Sequence, residues 1–377
     1  MDYKLIPIYQ RGLDASECQI RGGIDTLYFF VDISSDPTEL YQNLWNSVLN
    51  NTFSQVNYHF LNFSGKKSGF IGGWYSYIGF GNIPLFRIGF KDPQKQKQVK
   101  NVYVQFEGSG IYFLGIKRLL EYVKNELSTL LGYSVTNDNL FPSRVDLNAF
   151  VDGFDFGRID IDHFRTRAWK PANHNGEVAD YDNLEDSTEY RNRRATETLY
   201  IGDHRKSPLY LKIYNKRLEL TRKIHEVSSG IKRHFFIEIG FHSDHLWNIE
   251  FTIKREMLKS YQIYTISDLF ERADNVFKDL MKRNSFLGFD TETINNHRIN
   301  NHLARLPIHE IWQKISDDYK ICDYCVPVER TVKEYKKGSK DHSTSVILRE
   351  LRRQIEFDQA YTIMDLNSLY LQSKKAV

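Results

Sequence analysis

Tyr210, Lys212, Tyr214 and Lys216 alternate with Leu209, Leu211 and Ile213 in the stretch SPLYLKIYNKRLELTRK, Ser207 to Lys223. A β-strand sends successive side chains to opposite faces, so burying the aliphatic set leaves tyrosines between lysines on the other face. Two more stretches share this division. In RVDLNAFVD, Val145, Leu147, Ala149 and Val151 form an apolar face, and Asp146, Asn148 and Asp152 lie opposite. In LWNIEFTIK, Trp247, Ile249, Phe251 and Ile253 face the core, and Asn248, Glu250, Thr252 and Lys254 face away. An antiparallel sheet commonly keeps one face solvated. If the three strands are neighbours, Asp146, Glu250, Lys212 and Tyr214 converge on that open face.

Those residue types suit one reaction. Two carboxylates can hold Mg²⁺ or Mn²⁺ through oxygen, and such a cation polarises a phosphate. A tyrosine is a weak nucleophile because its free pKa is about 10, but neighbouring lysines and a cation favour the phenolate. Attack of the phenolate on a DNA phosphate gives a phosphotyrosyl link and frees a 3′ hydroxyl, and the reverse step reseals the strand. Taken singly, each acid is a solvated strand residue and each tyrosine a cross-strand packing residue. Tyr210 fits the spacing as well as Tyr214 does.

These faces need strands and helices to position them. GIDTLYFFVDIS (Gly23 to Ser34), the glycine-broken aromatic run Ser68 to Phe90, and KNVYVQFE read as strands. Ile116, Leu119, Leu120, Val123, Leu127 and Leu130 recur at helical spacing, with Gly132 as the stop. Residues 160–198 are polar and poor in aliphatics, and read as an excursion. Strands resume at TLYIG, LYLKIYNK, HFFIEIGF (His234 to Phe241) and LWNIEFTIK. Beyond Tyr261 the texture becomes helical: SDLFERADNVFKDLMKRN behind a Ser cap, PIHEIWQKISDDY, and the run from Ser343. The expectation is an α+β chain, with an antiparallel-sheet domain over 1–261 and a mostly helical region over 262–377.

The chain has 377 residues, 41% hydrophobic and 14% aromatic, enough for a substantial core and against wholesale disorder. Its net charge is only +3, but twelve Lys and Arg between Arg191 and Arg233 face four Asp and Glu. Such a patch is either a solvated face or a polyanion-binding surface. Three cysteines make no disulfide framework, and Cys322 and Cys325 lack a second pair. With no secretory signal and no apolar run of roughly 18 residues, the expectation is a soluble cytoplasmic protein with no membrane partner.

Three blocks resemble the rolling-circle replication initiation factor family, which spans plasmid and phage initiators and some conjugative-element relaxases. SRVDLNAFVD is similar to that family's Arg-hydrophobic-Asp-Leu strand. ETLYIGDHRKSPLYLKIYNKRLELTRK is similar to its Tyr-hydrophobic-Gly block and the strand ending in Ile-Tyr-Asn-Lys. HLWNIEFTIKREML is similar to its Trp-x-hydrophobic-Glu strand. The resemblance implies a divergent HUH-like nuclease domain without the paired metal histidines, and this sequence has no His-hydrophobic-His motif. It implies Tyr214 as the nucleophile and Asp146 and Glu250 as ligands of Mg²⁺ or Mn²⁺, with Asp152, Glu107 or neither as a third. In that setting Lys212 and Lys216 orient the phosphate, and Arg205, Lys206, Arg217, Arg222 and Lys223 contact the DNA backbone. The expected activity is metal-dependent nicking and rejoining of origin DNA. Its partners would be double-stranded origin DNA, single-stranded nick-site DNA and a host helicase, with homodimerisation left open. A conjugative relaxase, or a DNA-binding regulator that no longer cuts, would use the same scaffold.

Overall fold

The computed structural model describes residues 14–31, 39–50, 58–61, 70–76, 84–93, 102–106, 108–157, 159, 161–166, 198–203, 206–223, 226–289, 291–300 and 302–321. The last helical run expected, from Ser343, together with Cys322, Cys325 and most of the 160–198 excursion, lies outside them.

In chain order the elements are β1 (Gln19–Val31), α1 (Glu39–Leu49), β2 (Tyr58–Leu61), β3 (Phe70–Ser76), β4 (Pro84–Lys91), β5 (Val102–Phe106), α2 (Gly108–Leu114), α3 (Ile116–Leu131), β6 (Leu140–Asp152), β7 (Phe164–Thr166), β8 (Thr198–Ile201) and β9 (Leu209–Asn215). There follow α4 (Lys216–Arg222), α5 (Val227–Glu238), β10 (Leu246–Lys254), α6 (Arg255–Ser260), α7 (Ile266–Arg283), β11 (Asn284–Phe286), α8 (Thr291–Ile299) and α9 (Glu310–Asp318). Nine strands form one antiparallel sheet in the order β2-β3-β4-β5-β1-β6-β10-β9-β8. The fold is therefore α+β on a large antiparallel sheet, as the alternation and periodicity predict.

The three strands of mixed chemistry are neighbours in the half of the sheet that ends at β8. β10 lies between β6 and β9, with Glu250 opposite Asn148 on one side and Lys212 on the other. Asn248 lies between Phe150 and Tyr214, and Thr252 between Asp146 and Tyr210. The aliphatic face of these strands joins the main core, with Leu119, Val123 and Leu127 of α3 and Leu269, Phe277 and Leu280 of α7. α3 keeps its predicted face, and Gly132 ends it in the left-handed conformation at φ 72°, which a glycine adopts without steric cost. α7 begins one turn signal earlier than its Ser: Thr265 is the cap, in a reciprocal capping box with Asp268. Phe277 packs edge-on to Phe251 of the sheet at 5.5 Å and stacks on Tyr319 at 3.7 Å. The helices after Tyr261 thus share one core with the strands before it.

One element differs in kind. His234–Phe241 does not form a strand; most of it is the second half of helix α5. Its apolar residues come in pairs, Phe235–Phe236 and Ile237–Ile239, which satisfy neither period cleanly. Packing decides: Phe236 enters a second, smaller cluster with Tyr112, Phe150, Leu220, Phe241 and Leu246. Phe150 and Leu246 belong to the polar face of the sheet, so α2, α4 and α5 close over one end of it. α2 can approach because Gly110 lies against the Leu85 backbone, where a Cβ would collide.

Candidate functional site

The sheet brings Asp146, Glu250, Lys212 and Tyr214 onto one face, and helix α4 adds Lys216 from its first position. Asn215 ends β9 and caps α4 by accepting a hydrogen bond from the Leu218 amide at 2.9 Å, which sets the strand-to-helix turn that points Lys216 inward. Lys216 is 1% exposed. Its Nζ donates to the Tyr214 hydroxyl at 3.1 Å and pairs with Glu219 Oε2 at 2.8 Å. Lys232 of α5 approaches the other Glu219 oxygen at 3.5 Å. Burial alone would raise the Glu219 carboxyl, but Lys216 and Lys232 override it and hold it at about 2.

The face is not open, contrary to its reading as a solvated surface. Tyr214 is 7% exposed and Glu250 5%; Lys212 and Lys216 both lie against the Tyr214 ring, and Lys216 also lies near Tyr112 and Phe150 of the small cluster. Lys212 and Tyr210 are half-buried. Lys212 Nζ lies 3.9 Å from the centre of the Tyr214 ring, a cation–π contact. Burial pushes the Tyr214 phenol well above its usual 10, with the charges of Glu250, Asp25 and Glu219 adding to the rise; the hydrogen bond from Asn248 opposes it. The free phenol is thus held neutral, not poised as phenolate. Tyr210 points its ring toward Tyr200 at 6.5 Å, and its register partner is Thr252, not Asn248.

Among the acids, Asp146 is buried and gripped through both oxygens by Arg144, at 2.9 and 2.6 Å. Burial still raises its carboxyl against the pull of Arg144. Glu250 is pushed up to about 8 by burial and by the like charges of Asp146 and Asp25, with Lys212 and Lys216 opposing. Asp25 is an acid the strand patterns do not single out. It sits where the β1–β6 register slips between Ile24 and Thr26, and such a bulge re-aims a side chain. Its Oδ1 accepts a hydrogen bond from Tyr112 at 2.7 Å. The available signal was an acid inside an otherwise aromatic strand.

Asp152 lies at the far end of β6, where its Oδ2 accepts from the amides of His242 and Ser243 at 3.0 and 3.1 Å. It serves the His242–His245 turn. Glu107 and Arg205 are outside the described residues. Arg217 donates to the Ser243 carbonyl, so it too braces that turn, whereas Lys206, Arg222 and Lys223 are exposed. For a divalent cation the donors fit in kind: Asp146 and Glu250 offer hard oxygens, and the repulsion that raises Glu250 is one a cation would relieve. Among the described residues, no three His, Cys, Asp or Glu side chains are grouped to enclose an ion, and Arg144 occupies both Asp146 oxygens. Among the described residues, no helix is long and apolar enough to cross a membrane.

No protein-family model matches the chain, and no curated protein matches it. Among solved structures it is similar to a rolling circle replication initiator protein from Geobacillus stearothermophilus, at 14% identity and a TM-score of 0.42, over 80% of this chain and 96% of that one. A likeness of that degree bears on no single residue of the site.

Proposed function

We propose that this chain is a replication initiator that nicks and rejoins DNA at an origin through a 5′-phosphotyrosyl intermediate on Tyr214. The observation that carries this reading is the meeting of a tyrosine hydroxyl, a buried lysine and two raised carboxylates on one sheet face. A solvated face or a packing surface requires no such set, and burying these groups together costs free energy.

In this reading the Tyr214 oxygen attacks a phosphorus, and the bond to the 3′ oxygen breaks. Lys216, already on the hydroxyl, steadies the negative charge as the phenol gives up its proton. Lys212, over the ring, faces the incoming phosphate. Asp146 and Glu250 would hold Mg²⁺ or Mn²⁺, which supplies charge neutralisation at the phosphate. Exposed Lys206, Arg222 and Lys223, with Arg205, follow the DNA backbone and add affinity without sequence choice. Origin duplex and the single-stranded nick site are the substrates, and a host helicase acts on the nicked product. A conjugative relaxase would perform the same step on a transfer origin.

The enclosure of Tyr214 favours one rival, a regulator that binds DNA and does not cut. The test is supercoiled plasmid carrying this protein's own replicon, incubated with Mn²⁺ or Mg²⁺ and resolved on denaturing gels before and after protease. Wild type is expected to give nicked DNA with protein on the 5′ end, and Tyr214→Phe none while still binding. Tight specific binding with no nick under either metal would establish the regulator instead.

A further inference from the structure

Asn248 is wholly enclosed within the site, with no exposed surface. Its Oδ1 accepts from Asn148 Nδ2 at 3.0 Å. Its Nδ2 donates to the Tyr214 hydroxyl oxygen at 2.9 Å and to Glu250 Oε2 at 3.3 Å. Lys216 Nζ reaches the same hydroxyl oxygen at 3.1 Å. The bond from Asn148 satisfies the Asn248 oxygen and so fixes which way that amide points. The two hydrogens of its buried Nδ2 then need acceptors, and the Tyr214 oxygen and Glu250 supply them. Two donors on one phenolic oxygen suit an oxygen that carries charge.

We infer that Asn248 is a catalytic residue of the tyrosine chemistry proposed above. With Lys216 it forms a two-donor cradle for the charge on the Tyr214 oxygen, and Asn148 is the positioning residue that orients its amide. The inference rests on that reading of the site. In cleavage, the oxygen–phosphorus bond to Tyr214 forms with an electron pair from the hydroxyl oxygen. The phosphorus–O3′ bond breaks, and the phenol proton ends on the departing 3′ oxygen. In rejoining, the 3′ oxygen attacks and the pair returns to the Tyr214 oxygen. Asn248 and Lys216 hold it there until the proton of the 3′ hydroxyl arrives. Nothing but DNA and protein is consumed. Donors already aimed at the place where charge develops need no reorganisation during the step, and losing one such donor costs about 10²–10³ in rate in comparable sites.

The experiment compares wild type, Asn248→Ala, Asn148→Ala and the double variant in single-turnover nicking of the same supercoiled plasmid. DNA affinity and thermal midpoint are measured on each. Asn248→Ala is expected to lose about 10²-fold in nicking rate with DNA affinity unchanged. Asn148→Ala should lose about tenfold, and the double variant should be no slower than Asn248→Ala, because both changes act through one amide. An Asn248 variant that binds and nicks at the wild-type rate overturns the inference, as does a double variant whose losses multiply. If Asn248→Ala does not fold, Asn148→Ala decides: an undiminished rate overturns the inference. A wild type that never cuts refutes the functional reading itself, whereas cutting by wild type with no loss in these variants refutes this inference alone.

Discussion

Glu250 on the sheet and Glu219 on α4, both within the influence of Lys216, respond to pH in opposite senses. Glu250, held at about 8, keeps a proton in the folded chain that the unfolded chain releases near pH 4.5. Its contribution to stability is present below about 4.5 and is lost as pH rises toward 8, by at most about 1.4 kcal/mol per pH unit. Glu219, held at about 2, stabilises above its ordinary pKa and loses that contribution as pH falls through 4.5 toward 2. Denaturation at pH 5 and pH 8 in metal-free buffer should therefore show Glu250→Gln removing part of the alkaline decline of wild type. An identical slope in both proteins would contradict the raised carboxyl. If Glu250 takes up a cation, it must shed its proton to do so. Mn²⁺ added at pH 7 in weak buffer should release protons from wild type and fewer from Glu250→Gln, as read by a pH indicator. Asp146 and Glu250 were legible as residues, because a period of two separates them from the aliphatic face. Asp25 was not, because a bulge breaks that period in β1, and no count along a sequence reveals where a strand slips register against its partner.

At the scale of elements, the alternation in β6, β9 and β10 told which side chains share a face but not what lies over them. That depended on α5, whose paired phenylalanines fit strand and helix alike until Phe150 and Tyr112 supply a seat. α3 and α7 were readable because each carries several turns of one apolar stripe and a recognisable end. α5 closes over one end of the polar face through a cluster separate from the main core, so its opening should be more local than global unfolding. Phe236 packs edge-on against Phe150 at 4.8 Å. Phe236→Ala should speed amide exchange in α5 well before α7, and should leave Tyr214 easier to reach. Equal acceleration in both helices would show that the cover does not open by itself. Phe277→Ala, in the shared core, should instead cost about 3–5 kcal/mol of global stability, read from the urea midpoint and monitored on both sheet and helix signals.

Over the whole molecule, a net charge of +3 conceals a basic stretch that ends beside the site. Lys206, Arg222 and Lys223 are exposed there. Replacing all three with Ala should flatten the dependence of log K on log salt by about 2–3 in slope, and weaken binding to any DNA sequence alike. An unchanged slope would move the DNA path elsewhere.

The most direct measurement is the identity of the residue that carries DNA. Trypsin separates the two candidate tyrosines: Tyr210 falls in Ser207–Lys212 and Tyr214 in Ile213–Lys216. After nicking in Mn²⁺ and digestion with nuclease and trypsin, mass spectrometry should find a nucleotide phosphate on the Ile213–Lys216 peptide. The same mass on Ser207–Lys212, or nicked DNA with no modified peptide, would contradict Tyr214 as the nucleophile.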